Sequence, residues 1–212
     1  MNMLIMSRPV ISMRVAALLL LSLAISACVT FERAPVAKLS CDPALAGEWR
    51  PVKDGPDRSI LVSADCSLRW PENDGGTYTT TLEGFALGGS RYLVFTPAVA
   101  DRLMSSDGDM LRWAPKDSVF LARYRVDGDS AVVWLADPDE AMRPPTKGQA
   151  TGVRVDETDV HVKGSRAAIA KLLRARGDTI FAGQRDGTLQ DGKQQDGRGV
   201  MRLRRVVPAA TP

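Results

Sequence analysis

A mostly-β or α+β fold is predicted, with an antiparallel sheet forming a sandwich or barrel and one packed amphipathic helix. Three observations predict it. Short runs rich in Val, Ile, Thr, Tyr and Phe alternate with turn residues along most of the chain. Seven Asp-Gly dipeptides, starting at Asp54, Asp74, Asp107, Asp127, Asp186, Asp191 and Asp196, punctuate those runs. Asp-Gly suits the positive φ that tight hairpin turns demand. Only one long stretch has helical spacing, and no βα unit repeats, which argues against a parallel sheet.

The chain opens with Arg8 and Arg14, followed by an almost unbroken apolar run from Val15 to Ile25. A basic stretch, a short apolar stretch and small residues at a cut describe an export signal, here residues 1–27. A membrane span needs roughly 20 apolar residues, more than this run offers. Met1, Met6 and Met13 are all candidate starts.

The segment Ile25-Ser26-Ala27-Cys28 resembles the lipobox of bacterial lipoproteins. The resemblance implies that Cys28 becomes the first mature residue, carrying a diacylglyceryl group and an amide-linked acyl chain. Two or more acyl chains anchor a protein stably. Val29 follows where the family's inner-membrane retention signal is usually Asp, which implies the outer membrane, facing the periplasm. Residues 28–40 are expected to be a lipidated tether, 41–207 a single globular domain, and 208–212 a disordered tail.

Without residues 1–27 the chain has 185 residues, with 26 basic and 25 acidic side chains. That length supports one domain with a buried core. The balanced charge gives no bulk attraction to nucleic acid, and no nucleic-acid partner is expected. Cys41 and Cys66 form an even pair that reads most simply as a disulfide in an oxidising compartment. It would close a loop of about 26 residues, contributing roughly 3.5 kcal/mol. With one histidine and no C-x-x-C in the chain, no metal or cofactor is expected.

Strands are predicted at 59–63, 67–70, 77–82 and 92–96, then as a hairpin of 119–126 with 131–135 through Asp127-Gly128-Asp129. On its first strand Phe120, Ala122, Tyr124 and Val126 share one face, and Arg123 and Arg125 take the other. Val153 and Val155 alternate with Arg154 and Asp156, as Val160 and Val162 do with His161 and Lys163. Asp137-Pro138-Asp139-Glu140 carries the signals of a helix start. The main helix is predicted over 165–176, with Ile169, Leu172 and Leu173 as its apolar stripe and Gly177 as its C-cap. Further strands are expected at 180–182 and 199–207, with a polar loop over 184–198 between them.

Catalytic signatures are missing. Gly88-Gly89-Ser90-Arg91-Tyr92 lacks the closing glycine of a nucleophile elbow, and there is no S-x-x-K, H-E-x-x-H or phosphate loop. His161 is expected to face solvent between two core-facing valines. Asp137, Asp139 and Glu140 are explained by capping. Arg198, Arg202, Arg204 and Arg205 lie on the last strand as a solvated face that could meet anionic headgroups. The four tryptophans read as core markers. Gly47-Glu48-Trp49 resembles the Gly-x-Trp opening of lipocalin-type barrels, although the family's Thr-Asp-Tyr motif is absent. That resemblance implies an apolar calyx of about 300–1,000 Å³.

The expected function is therefore a non-catalytic binding or structural module of the cell envelope. It would be held to the membrane by its lipid anchor and bind an envelope protein or polymer. The alternative is a carrier of a small apolar ligand or lipid.

Overall fold

The computed structural model describes residues 28–52, 59–72, 75–104, 110–182 and 199–206. Strand β1 spans Val29–Phe31, β2 Gly47–Pro51, β3 Ile60–Val62, β4 Ser67–Pro71, β5 Thr77–Thr81, β6 Glu83–Leu87 and β7 Ser90–Phe95. Helix α1 (Pro97–Met104) leads to the long hairpin of β8 (Val119–Asp127) and β9 (Ser130–Leu135). The short helix α2 (Pro138–Met142), strands β10 (Thr151–Arg154) and β11 (Val160–Lys163), helix α3 (Arg166–Ile180) and β12 (Val200–Arg205) complete the described chain. This is a sheet-dominated fold of twelve strands, as the turn density predicts, with three helices where the sequence suggests two.

The ladder runs β10-β11-β1-β8-β9-β12-β2-β3-β4-β5, and β6 and β7 branch from β8. Every pairing is antiparallel except β1 with β11. The sheet is not closed into a barrel. It nevertheless curls: β5 closes one end of the ladder and β6 lies at the tip of the branch from β8, five strands away from β4, yet a single residue, Leu82, joins β5 to β6. Inner faces of distant strands are thereby brought opposite one another.

Several expectations need correction. Residues 28–40 do not form a free tether, because β1 lies in the middle of the sheet between β8 and β11. Val29, Thr30 and Phe31 are β-branched or aromatic and almost wholly buried. Three residues are too few to show a period, so composition was the sole available signal. His161 is buried, not solvated. Val160 and Val162 do face the helix-covered core, but the opposite face is also covered, and His161 Nδ1 meets Thr30 Oγ1 there at 3.0 Å.

The main helix has the expected Ser165 N-cap, whose hydroxyl accepts from the Ala168 amide, but it continues to Ile180. Gly177 is thus interior, not a C-cap. A Cβ at Gly177 would lie 2.5 Å from Tyr92 Oη, so the glycine permits close helix–sheet approach. The strand expected at 180–182 is the helix end, with Phe181 buried as its cap. At α2 the predicted start holds, with Asp137 Oδ1 accepting from the Asp139 and Glu140 amides at 2.9 and 3.1 Å.

Two apolar clusters result. One lies between α3 and the outer face of β1, β6, β7, β8 and β11, where Ile169, Leu172 and Leu173 pack on Phe31, Leu121 and Val162. Within it Phe181 stacks on Phe31 and meets Tyr92 edge-on, with centroids 6.3 and 5.4 Å apart. The other fills the inside of the curl and includes Trp49, Leu68, Leu93 and Phe120. The Cys41–Cys66 disulfide is present, with Cα atoms 5.8 Å apart. It ties the approach to β2 to the turn between β3 and β4.

The export segment 1–27, the loop at 184–198, Arg198 and the tail at 208–212 lie outside the described residues, as do Asp74 and the Asp-Gly pairs at 54, 107, 186, 191 and 196. Asp127-Gly128 makes the predicted hairpin turn, with Gly128 at φ +56°. Among the described residues no helix is long and apolar enough to cross a membrane.

Candidate functional site

Strand alternation sends Ala122, Ala131 and Leu203 inward on β8, β9 and β12, opposite Trp49, Ile60 and Leu68 of β2, β3 and β4. These residues do not meet at the centre. They line a partly open cavity of about 110 Å³, completed by Leu93, Phe95, Leu82, Val133 and Leu135. Helix α1 covers one side with Ala100, Leu103 and Met104. The lining side chains are all apolar. The sheet's inner face carries small residues, Ala122 and Ala131, where a filled core would carry large ones.

A cavity without polar partners does not hold ordered water, and an engineered apolar cavity of about 150 Å³ stays dry and takes benzene. This one is of that order. It is smaller than the range implied by the Gly-x-Trp resemblance, because Trp49, Trp70 and the α1 side chains extend into the curl. The space suits a small ring or the end of a slim hydrocarbon chain.

One end of the curl is closed by a stack that sequence reading missed. The Arg205 guanidinium lies 4.1 Å from the centre of the Trp49 ring. It also donates to the carbonyls of Ala44, at 3.0 Å, and Ala46. Trp49 Nε1 donates to Leu45 O at 2.7 Å. Gly47 has φ +134°, and a Cβ there would strike the Arg205 guanidinium. The Gly-x-Trp sequence thus has a local physical basis: glycine admits the cation that covers the tryptophan. The available signal was alternation, since 205 shares the inward parity of Leu203.

Near the same end Asp42 accepts from Tyr124 Oη at 2.6 Å, Arg91 Nη1 at 2.8 Å and the Ala44 amide at 3.0 Å. Burial pushes the Asp42 carboxyl up, but the hydrogen bonds and the Arg91 charge outweigh it and hold it below its ordinary value. Burial and the adjacent Asp42 push the Tyr124 phenol well above its usual value. Both groups therefore keep fixed charge states near neutrality and act as a rim clamp between β8, β7 and the residues before β2.

Cys28 stands at the start of β1 with 5% of its surface exposed. Its amide donates to Asp159 Oδ1 at 2.8 Å, and its Sγ lies 3.3 Å from Met110 Sδ. Burial first, then the charge of Asp159, pushes the thiol up to about 12. Burial also raises the Asp159 carboxyl. Cys28 and the Cys41–Cys66 bond do not meet at the cavity wall, whose lining includes none of the three.

A second, open depression of about 640 Å³ lies on the other side of α1, beside Asp101, Arg102, Arg112 and Lys116. Asp101 is committed there, accepting from the Met110 and Leu111 amides at 2.7 and 3.2 Å. No protein-family model, curated protein or solved structure matches this chain.

Proposed function

We propose that this chain is a non-catalytic binding protein that takes a small apolar ligand, or the end of a lipid chain, inside its curled sheet. The observation that supports the reading is the wholly apolar cavity walled by Ala122, Ala131 and two tryptophans. Burial of hydrocarbon at roughly 25 cal/mol per Å² supplies the affinity, and the absence of polar lining gives little selectivity among hydrocarbon groups.

Trp49 and Trp70 line the cavity, so their fluorescence reports occupancy. Brominated fatty acids should quench it saturably, and Ala122→Leu with Ala131→Leu should remove that quenching while leaving the fold's circular dichroism intact. Equal quenching in the filled variant would sink the proposal.

The anchor belongs to the same proposal and rests on the lipobox-like segment ending at Cys28. We place the protein on the periplasmic face of the outer membrane. Acylation at Sγ would require the Cys28 side chain to leave Met110, whereas an acylated amino group would keep the hydrogen given to Asp159. Mass spectrometry of the Cys28 peptide from envelope material should show the acyl mass, and Cys28→Ser should move the protein into the aqueous phase on detergent partitioning. An unmodified Cys28 in membrane-extracted protein would remove the anchor.

A further inference from the structure

The uncovered outer face of the sheet is cationic. Helix α3 covers the outside of β1, β6, β7, β11 and the start of β8, Trp134 of β9 packs at its margin, and among the described residues nothing covers that of β12, β2, β3 and β4. Cross-strand register places Arg50 opposite Arg204, Arg125 opposite Val132, which is also opposite Arg202, and Arg69 opposite Leu61. Arg123 lies opposite Trp134. Paired positions share a face, so these six arginines point the same way.

Of Arg50, Arg69, Arg123, Arg125 and Arg204, carboxylates among the described residues meet two. Arg50 meets Glu48 at 3.6 Å between half-exposed side chains, and Arg123 meets Asp178 at 2.8 Å. Exposed pairs of this kind contribute little. Arg69 and Arg204 meet no carboxylate among the described residues. Like charges directly opposite one another destabilise a sheet, and Arg50 with Arg204 is such a pair. The half-buried Trp134 ring packs at the edge of the helix-side cluster with the guanidiniums of Arg123 and Arg125 5.6 and 5.9 Å from its centre, and Leu61 is exposed opposite Arg69.

We infer that this face docks on an anionic phospholipid surface. Arginine supplies attraction to headgroup phosphates, while an indole and an exposed leucine among the cations suit the boundary between headgroups and hydrocarbon. The outside of a curled sheet is convex and offers its cations to a surface more readily than it wraps a polymer strand. The inference is independent of the cavity and of acylation at Cys28.

The test compares vesicle binding by the full chain, Arg50→Gln/Arg125→Gln/Arg204→Gln, and a charge-matched control, Arg33→Gln/Arg143→Gln/Arg154→Gln. Residues 1–27 are common to all three, so differences report the substituted faces. Phosphatidylcholine vesicles with and without phosphatidylglycerol are the probe. Each lost charge near the surface should weaken binding to the anionic vesicles about fivefold, or on the order of a hundredfold for the first triple. Binding to neutral vesicles should be unchanged, and thermal melts should show all three folded. Equal weakening by both triples, no preference of the parent for anionic vesicles, or binding to soluble polyphosphate without vesicle binding would each overturn it.

Discussion

The two apolar clusters are built from the same residue types on one sheet, yet a helix closes one and the other holds a cavity. Where α3 lies on the sheet, Phe31, Phe85, Tyr92, Phe181 and the leucines of the helix close the space, and Gly177 lets the helix approach until it touches Tyr92. Inside the curl, the opposing surface is the sheet itself. Backbone curvature sets that separation, and Ala122 and Ala131 leave it partly unfilled. A helix can slide until contact, whereas strands bound into one ladder cannot. The helix-covered half is closed by rings and leucines, and the curl leaves the space that the proposed ligand would occupy.

Truncated leucines should separate the two clusters most strongly. Leu172→Ala in the helix cluster should destabilise by about 4–5 kcal/mol in urea titration, the upper part of the range for buried leucine. Leu93→Ala on the cavity wall should cost about 2–3 kcal/mol, because that side chain already faces unfilled space. Equal losses would mean the halves are packed alike.

Next in size, Cys41→Ser with Cys66→Ala should remove about 3.5 kcal/mol by freeing the loop between them. Because the bond tethers the half with the cavity, hydrogen exchange should rise in β2–β4 more than in α3. A uniform rise would show that the halves unfold as one.

Gly177→Ala should destabilise by about 1–3 kcal/mol through overpacking against Tyr92, despite alanine's better helix propensity. Tyr92→Phe removes the atom that a Cβ would meet at 2.5 Å. The double variant should therefore recover most of the loss in a thermal melt, and failure to recover would deny the tight contact.

The smallest effect concerns pH. Burial, then Lys163, holds the His161 imidazole below its ordinary value, partly offset by Glu32. The unfolded chain therefore takes up a proton at this site before the folded chain does. His161 accordingly favours folding above the unfolded value near 6.5, and that contribution declines as pH falls through this window. Denaturation midpoints should decrease from pH 7.5 to 5.5 in the parent, with a flatter profile in His161→Gln. An unchanged slope would place the linkage elsewhere.

Much of the fold is legible in the residues. Asp127-Gly128, the alternation of β8 and β9, the Ser165 and Asp137 caps and the Cys41–Cys66 pair are local signals, each satisfied within a few residues or by one covalent bond. Their free energies depend little on what packs later, so composition and spacing suffice to read them.

Position in the tertiary structure decided the rest. Val29-Thr30-Phe31 became a central strand because β8 and β11 provide two open edges, and His161 was buried because that strand covers it. Arg205 turned inward onto Trp49 while Arg204 and Arg50 turned outward, a distinction set by register between strands far apart in the chain. The cavity itself depends on how sharply the sheet curls. Sequence period tells which side chains share a face, but the distance between two faces is settled when the whole ladder assembles.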